Sequence, residues 1–188
     1  VIRLCLTRIG GWPGSTFNED FFKRIDTHLA HAKENGIKTM FKLTLYDLTQ
    51  EFYGELGNEQ WTALMNNENG TRDMYLKAWN NVFVRYKNEP SVIGYDLLNE
   101  PLAGREKPWD LLPEIFGNVE KYALIQWWHY APNEHRKIGL PSAPPRVGIT
   151  GENIFYAPHY YGTNPKLMIE RYLSDAVRLN VPIIIPEY

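Results

Sequence analysis

Apolar runs that do not alternate with polar residues recur along this chain, each separated from the next by a stretch of helical periodicity or by a loop. That rhythm restricts the fold more than any other feature. Residues 1–7, 37–43, 92–98, 154–157 and 181–185 form such runs, and 146–149 is a shorter one. A strand wetted on one face alternates apolar and polar residues, whereas a run without alternation is buried on both faces. Between the first two runs Phe22, Ile25, Leu29 and Ala32 recur at three- or four-residue intervals. Asn18 or a neighbour is placed to cap that helix, and Asn35-Gly36 ends it. Over 71–86, Tyr75, Trp79, Val82 and Phe83 share a helical face, and Pro90 stops the helix. Further helices are expected over 58–66, near 119–130, and over 165–179. The last of these has Leu167, Ile169, Leu173, Ala176 and Val177 on its inner side, with Asn180 closing it. The succession of strand, helix and strand describes an α/β protein whose parallel sheet is covered by helices.

Periodicity leaves two architectures open. A doubly wound sheet prefers a glycine-rich phosphate loop after its first strand, and Gly10-Gly11-Trp12-Pro13-Gly14 lacks the G-x-G-x-x-G spacing. A (β/α)8 barrel takes its catalytic groups from the C-terminal ends of several strands, where this chain places acidic residues, but it needs eight strands and only six are expected here. No internal repeat, low-complexity tract or linker divides the chain, so residues 1–188 are read as one domain.

Composition excludes several functions. The formal net charge is -2 and no run of Lys or Arg makes a basic stripe, so nucleic acid is not an expected partner. No apolar stretch reaches the roughly 18 residues of a membrane span. The single cysteine, Cys5, rules out an internal disulfide framework and is expected to be buried in its apolar run. His28 and His31 lie one helical turn apart without an acidic third ligand, which favours a packing or solvated role over a metal site. No metal and no cofactor are expected. Both ends open directly on apolar runs and look cut, and no signal peptide is evident. Asn69-Gly70-Thr71 has the form of a glycosylation acceptor, which matters only in a secretory route.

Glu100 and Glu187 each follow an apolar strand directly. Two carboxylates at strand ends on one face of a barrel can converge across its mouth, which is what glycoside hydrolysis needs. One protonated carboxyl gives its proton to the leaving oxygen, and one carboxylate attacks the anomeric carbon, the two standing about 5 to 5.5 Å apart in a retaining enzyme. The alternative is two acids that merely end strands in wet loops. His159-Tyr160-Tyr161 lies just past another strand and suits either proton sharing with a carboxylate or aromatic packing. Arg3, inside the first apolar run, must reach a carboxylate or the barrel mouth, and its expected use is to hold a catalytic Glu ionised. Trp12 suits stacking on a sugar ring or surface packing, and Asp96 either faces the site or makes an ordinary buried hydrogen bond.

At these residues the sequence resembles glycoside hydrolase family 5, the cellulase-like retaining family. Val92-Ile93-Gly94-Tyr95-Asp96-Leu97-Leu98-Asn99-Glu100-Pro101 is similar to its fourth-strand signature, His159-Tyr160-Tyr161 to its sixth-strand element, and Pro182-Ile183-Ile184-Ile185-Pro186-Glu187-Tyr188 to the segment presenting its nucleophile. Arg3 resembles its second-strand arginine. The resemblance implies an incomplete (β/α)8 TIM barrel, about strands 2 to 7, as part of a catalytic domain that alone would fold poorly and be inactive. It implies Glu100 as acid/base, Glu187 as nucleophile, and Asn99 as a donor to the sugar 2-hydroxyl. His159 becomes a partner of the acid/base, Tyr161 a donor to Glu187, and Arg3 its electrostatic support. Two departures stand out: Lys42-Leu43-Thr44-Leu45-Tyr46-Asp47 lacks the His often found after the third strand, and Pro186 replaces a usual Gly. The implied substrate is a β-linked oligo- or polysaccharide, glucan or mannan, cleaved by double displacement, and the implied location is secreted. A glycosylceramide-type endoglycosidase and a non-catalytic carbohydrate-binding barrel are the alternatives.

Overall fold

A computed structural model describes residues 1–6, 9–10, 16–43, 57–97, 121–125, 153–157, 165–180 and 182–185. In chain order the elements are β1 (Ile2–Cys5), α1 (Glu19–Glu34), β2 (Thr39–Lys42), α2 (Gly57–Asn66), α3 (Thr71–Tyr86), β3 (Val92–Asp96), β4 (Tyr122–Ile125), β5 (Ile154–Tyr156) and α4 (Pro165–Leu179). The strands form one sheet in the order β1-β2-β3-β4-β5, every neighbouring pair parallel. Residues 182–185 extend it. The Tyr156 N–H donates to the Pro182 carbonyl at 2.9 Å, the Ile184 N–H donates to the Tyr156 carbonyl at 2.9 Å, and Tyr156 bridges Ile183 in parallel. Strand order follows chain order without reversal, so the described sheet has no topological switch point of the doubly wound kind. It is an α/β arrangement of the TIM-barrel type.

The helices form where their sequence predicts. The Asn18 side chain accepts from the Phe21 N–H at 3.1 Å and caps α1, which buries Phe22, Ile25, Leu29 and Ala32. Helix α3 buries Met74, Tyr75, Ala78, Trp79, Val82, Phe83 and Tyr86, a broad face at three- and four-residue spacing. These side chains meet Phe41, Leu43, Val92, Tyr95 and Leu97 from the strands in the outer core, between sheet and helices. Its centre is aromatic: Phe41 and Tyr86 lie 5.0 Å apart, Phe83 and Tyr95 4.7 Å, and Trp79 stacks on Phe83 at 5.4 Å. Each such pair adds about 0.5–1.5 kcal/mol beyond area burial. A second, smaller cluster of Met40, Leu124 and Ala157, with Ile93 and Ile184 against it, covers the inner face.

Three expectations are corrected. In place of the helix expected near 119–130, the described residues form the strand β4, paired to β3 and β5. Tyr-Ala-Leu-Ile is too short a run for periodicity to separate helix from strand, and in the structure Ala123 joins the outer core while its neighbour Leu124 joins the inner one. Helix α4 turns Ile169, Leu173 and Val177 to the surface and buries Tyr172. Those three positions lie about 60°, 100° and 140° round the helix from Tyr172, and the large ring takes the inward place. Cys5 is exposed, because it sits on β1 at the edge of the described sheet. The strand expected at 146–149 lies outside the described residues.

Gly94 is required by a close approach. A Cβ there would stand 2.6 Å from Met40 Cε and 2.6 Å from the Tyr122 carbonyl oxygen. The methionine can move, but the carbonyl belongs to the strand paired with Gly94. Gly94→Ala is therefore expected to cost about 1–3 kcal/mol, read as a lower urea midpoint, and an unchanged midpoint would contradict the close approach.

Helices α1 and α3 are joined by polar contacts at the edge of the aromatic core. The Tyr86 hydroxyl donates to Asp26 Oδ1 at 2.8 Å, while Arg85 reaches Glu19 at 2.9 Å and Asp26 at 3.4 Å and lies over the Phe22 ring. Burial, reinforced by the hydrogen bond to Asp26 and its charge, raises the Tyr86 phenol above its ordinary value of 10.0. The unfolded chain thus releases this proton first. The contribution to stability is whole below about pH 10 and is lost as pH rises toward the folded-state value. Urea midpoints measured between about pH 8 and pH 11 should fall more steeply for the wild type than for Tyr86→Phe, and parallel slopes would refute the assignment.

Candidate active site

Because the strands are parallel, their C-terminal ends lie along one edge of the sheet, and the end of β3 is held there with particular firmness. The Tyr75 hydroxyl donates to the Leu97 carbonyl at 2.8 Å and lies 3.3 Å from the Leu43 carbonyl, and the Trp79 indole N–H donates to the Leu97 carbonyl at 3.0 Å. All of these groups are buried, where a carbonyl without a donor would be costly. Two rings one helical turn apart on α3 therefore fasten the strand end that runs into Leu98-Asn99-Glu100. Their apolar periodicity was legible in the sequence. Their second use, as donors to a carbonyl about twenty positions away, was signalled only by the polar tips that Tyr and Trp carry into a core.

An ion pair lies on the inner face just before that end. Arg3 Nη1 stands 2.8 Å from Asp96 Oδ2, with the Arg3 side chain 13% exposed and Asp96 fully buried. Arg3 is on β1 and Asp96 on β3, so the guanidinium reaches across β2. Tyr95 and Leu97, on either side of Asp96, belong to the outer core, and by alternation Asp96 faces inward. Lys42 is the register partner of Asp96 and lies between Phe41 and Leu43 of the outer core, so it shares the inner face, as does Cys5, the register partner of Lys42. Of the two destinations expected for Arg3, a carboxylate or the barrel mouth, it reaches a carboxylate, that of Asp96.

The other expected site residues, Trp12, Asn99, Glu100, His159, Tyr161 and Glu187, lie outside the described residues. The described positions that lead to them share one edge. Leu97 precedes Asn99-Glu100, Ala157 follows β5 and precedes His159, and Ile185 ends the segment before Glu187. His28 and His31 lie on α1. His31 is exposed beside Glu34 at 3.4 Å, and no group of three metal-ligating side chains occurs among the described residues. No helix among those residues is long and apolar enough to cross a membrane.

Comparison with known proteins gives a family and a fold. Residues 1–188 match the family described as Cellulase (glycosyl hydrolase family 5). A 66-residue stretch is 35% identical to an endoglycoceramidase of Hydra vulgaris, covering 34% of this chain and 13% of that protein. Endo-glycoceramidase II from Rhodococcus sp., solved as a lactosyl-enzyme intermediate, superposes with a TM-score of 0.70 at 18% identity over 98% of this chain and 57% of that one. An endoglucanase from Pseudomonas stutzeri superposes with a TM-score of 0.55 at 17% identity over 84% of this chain and 48% of its own. The chain thus spans about half the length of these solved structures and a smaller share of the Hydra protein.

Removing the cation from the buried pair should be costly. Arg3→Met is expected to lower stability by about 3 kcal/mol in urea unfolding, because it strips Asp96 of its guanidinium. A loss under about 1 kcal/mol, the range of an exposed pair, would show that the pair is not buried as described.

Proposed function

The chain belongs to glycosyl hydrolase family 5, and from that premise we propose that it forms the core of a retaining β-glycosidase acting on glycolipids of the glycosylceramide type. The observation that carries the substrate class is the recurrence of endoglycoceramidases in two independent comparisons, one by sequence with Hydra vulgaris and one by fold with Rhodococcus sp.. The latter protein has also been solved with ganglioside GM3. A β-glucan or β-mannan substrate is the second reading, favoured by the likeness to the Pseudomonas endoglucanase, which is looser and covers less of this chain.

In this reading the described segments are the second to seventh staves of a (β/α)8 barrel. Glu100 is the acid/base and Glu187 the nucleophile. Three interstrand steps lie between β3 and residues 182–185, about 14 Å along a flat sheet at about 4.8 Å each, whereas a retaining pair works at about 5 to 5.5 Å. The chemistry therefore requires the sheet to curl so that both carboxylates project across a mouth, which a barrel provides. Glu187 attacks the anomeric carbon while Glu100 gives its proton to the departing oxygen, which in a glycosylceramide belongs to the lipid. Glu100 then takes a proton from the water that releases the sugar. Asn99 donates to the sugar 2-hydroxyl, His159 shares the acid/base network, Tyr161 donates to Glu187, and Trp12 stacks on a sugar ring. Arg3 supports the negative charge of the nucleophile from below.

The test is turnover by the purified complete catalytic domain of which these staves are part, on lactosylceramide in detergent micelles, set beside soluble β-glucan and β-mannan. Release of intact lactose from the lipid is expected, and hydrolysis of the polysaccharides alone would contradict the glycolipid reading. Glu187→Gln should reduce kcat by about 10⁴-fold with sugar affinity largely kept. A variant that retains kcat would remove Glu187 from the mechanism.

A further inference from the structure

We infer that Asn69 is a modification site: the complete protein passes through a secretory route and carries an N-linked glycan on the Asn69 side chain. The inference is independent of the substrate class proposed above and of the two carboxylates. Asn69 is the only Asn in the sequence with Ser or Thr two positions on and no Pro between. A triplet of this form arises readily by chance in a chain with many asparagines, so its place in the fold has to decide. It lies at the short 3-10 helix Glu68–Gly70, between α2 and α3, and Asn69 is exposed there. Tyr75, one turn into α3, donates to the Leu97 carbonyl just past β3. The triplet therefore stands toward the edge of the sheet where the strands end.

Three asparagines lie close together here, and their side chains are used differently. Asn66 Nδ2 donates to Glu68 Oε1 at 3.2 Å. Asn67 secures the start of α3: its Oδ1 accepts from the Arg72 N–H at 2.9 Å and the Asp73 N–H at 3.2 Å, and its Nδ2 donates to Asp73 Oδ2 at 3.0 Å. The Asn69 amide has no polar partner among the described residues. Its left-handed backbone, φ 51°, suits Asn or Gly, as does that of Asn67 at φ 55°. That preference concerns the backbone and leaves the amide of Asn69 idle. Space is free as well, since a Cβ built on Gly70 would meet nothing within 4 Å. The Thr71 hydroxyl, which recognition of the triplet requires, donates to the Glu68 carbonyl at 2.7 Å and belongs to the same turn. A glycan on Asn69 breaks no contact among the described residues and displaces no packed side chain.

In the transfer, Asn69 Nδ2 gives up a proton to a base of the transferase and bonds to C1 of the first N-acetylglucosamine of an oligosaccharide carried on a polyprenyl diphosphate. The C1–O bond breaks, and the diphosphate leaves with its electron pair. The reaction belongs to the lumen of the secretory route, so the modification also reports where the chain has been. The test expresses the complete protein from its own full reading frame in cultured mammalian cells. Peptides from cells and medium together are treated with peptide N-glycosidase in heavy-oxygen water, so that a variant that folds poorly is still scored. Mass spectrometry should find Asn69 converted to heavy-labelled Asp in the wild type. Asn69→Gln and Thr71→Ala should each abolish the label, and Thr71→Ser should keep it, because a serine hydroxyl serves the same recognition. Label that persists in Thr71→Ala is spontaneous deamidation of Asn69-Gly70 and overturns the inference. Unlabelled Asn69 in secreted wild-type protein, or wild-type protein held in the cytosol, overturns it as well. None of these outcomes decides the glycosidase reading, which is read separately from turnover of the same protein.

Discussion

A parallel sheet has to be covered on both faces, and this requirement governs the structure more than any single contact. The outer face is covered by helices, and its core is built from rings: Phe41, Tyr95, Trp79, Phe83 and Tyr86. None of the described helices lies on the inner face. Its own side chains must cover it, and they do so in two ways, with the apolar group of Met40, Leu124 and Ala157 and with the ion pair of Arg3 and Asp96. Gly94 lies where these neighbours crowd, and its missing side chain lets Met40 and Tyr122 approach.

Burying charge on that inner face is expensive unless each ion has a partner, and even a well-made pair rarely outperforms apolar packing. Its presence is easier to understand if the inner face is also the floor of a reaction site. The same logic applies to the end of β3. A carbonyl that accepts from both Tyr75 and Trp79 is held more tightly than strand pairing alone requires, and the residues that follow it are those which the family resemblance assigns to catalysis. Rigid support just before a reacting group is how a scaffold keeps the geometry that chemistry needs.

Much of the fold was legible in the sequence because two periods are legible. Phe22, Ile25, Leu29 and Ala32 announced α1 by their spacing, and the apolar runs announced β1, β2, β3 and β5. The strand β4 was missed because four apolar residues fit either period. On α4 the apolar spacing put Ile169, Leu173 and Val177 inward, whereas the fold buries Tyr172 and leaves those three exposed. The family was legible for a different reason, since the segment around Asn99-Glu100-Pro101 is distinctive, and the match over residues 1–188 bears it out. What could not be read was the partner of Arg3. Its need for a carboxylate follows from burial alone, but which of many acids answers it depends on strand order and register, and these bring together residues 93 positions apart.

The central claim is that Glu187 forms a covalent bond to the sugar. A 2-fluoro-2-deoxy glycoside with a reactive leaving group slows both steps but slows release more, so a retaining enzyme accumulates the glycosylated form. Mass spectrometry of the intact protein, followed by sequencing of its peptides, reads this directly. One adduct of the mass of the fluorosugar, located on Glu187, is the predicted result. An unmodified protein that still turns over the natural substrate, or an adduct on another carboxylate, would contradict the account.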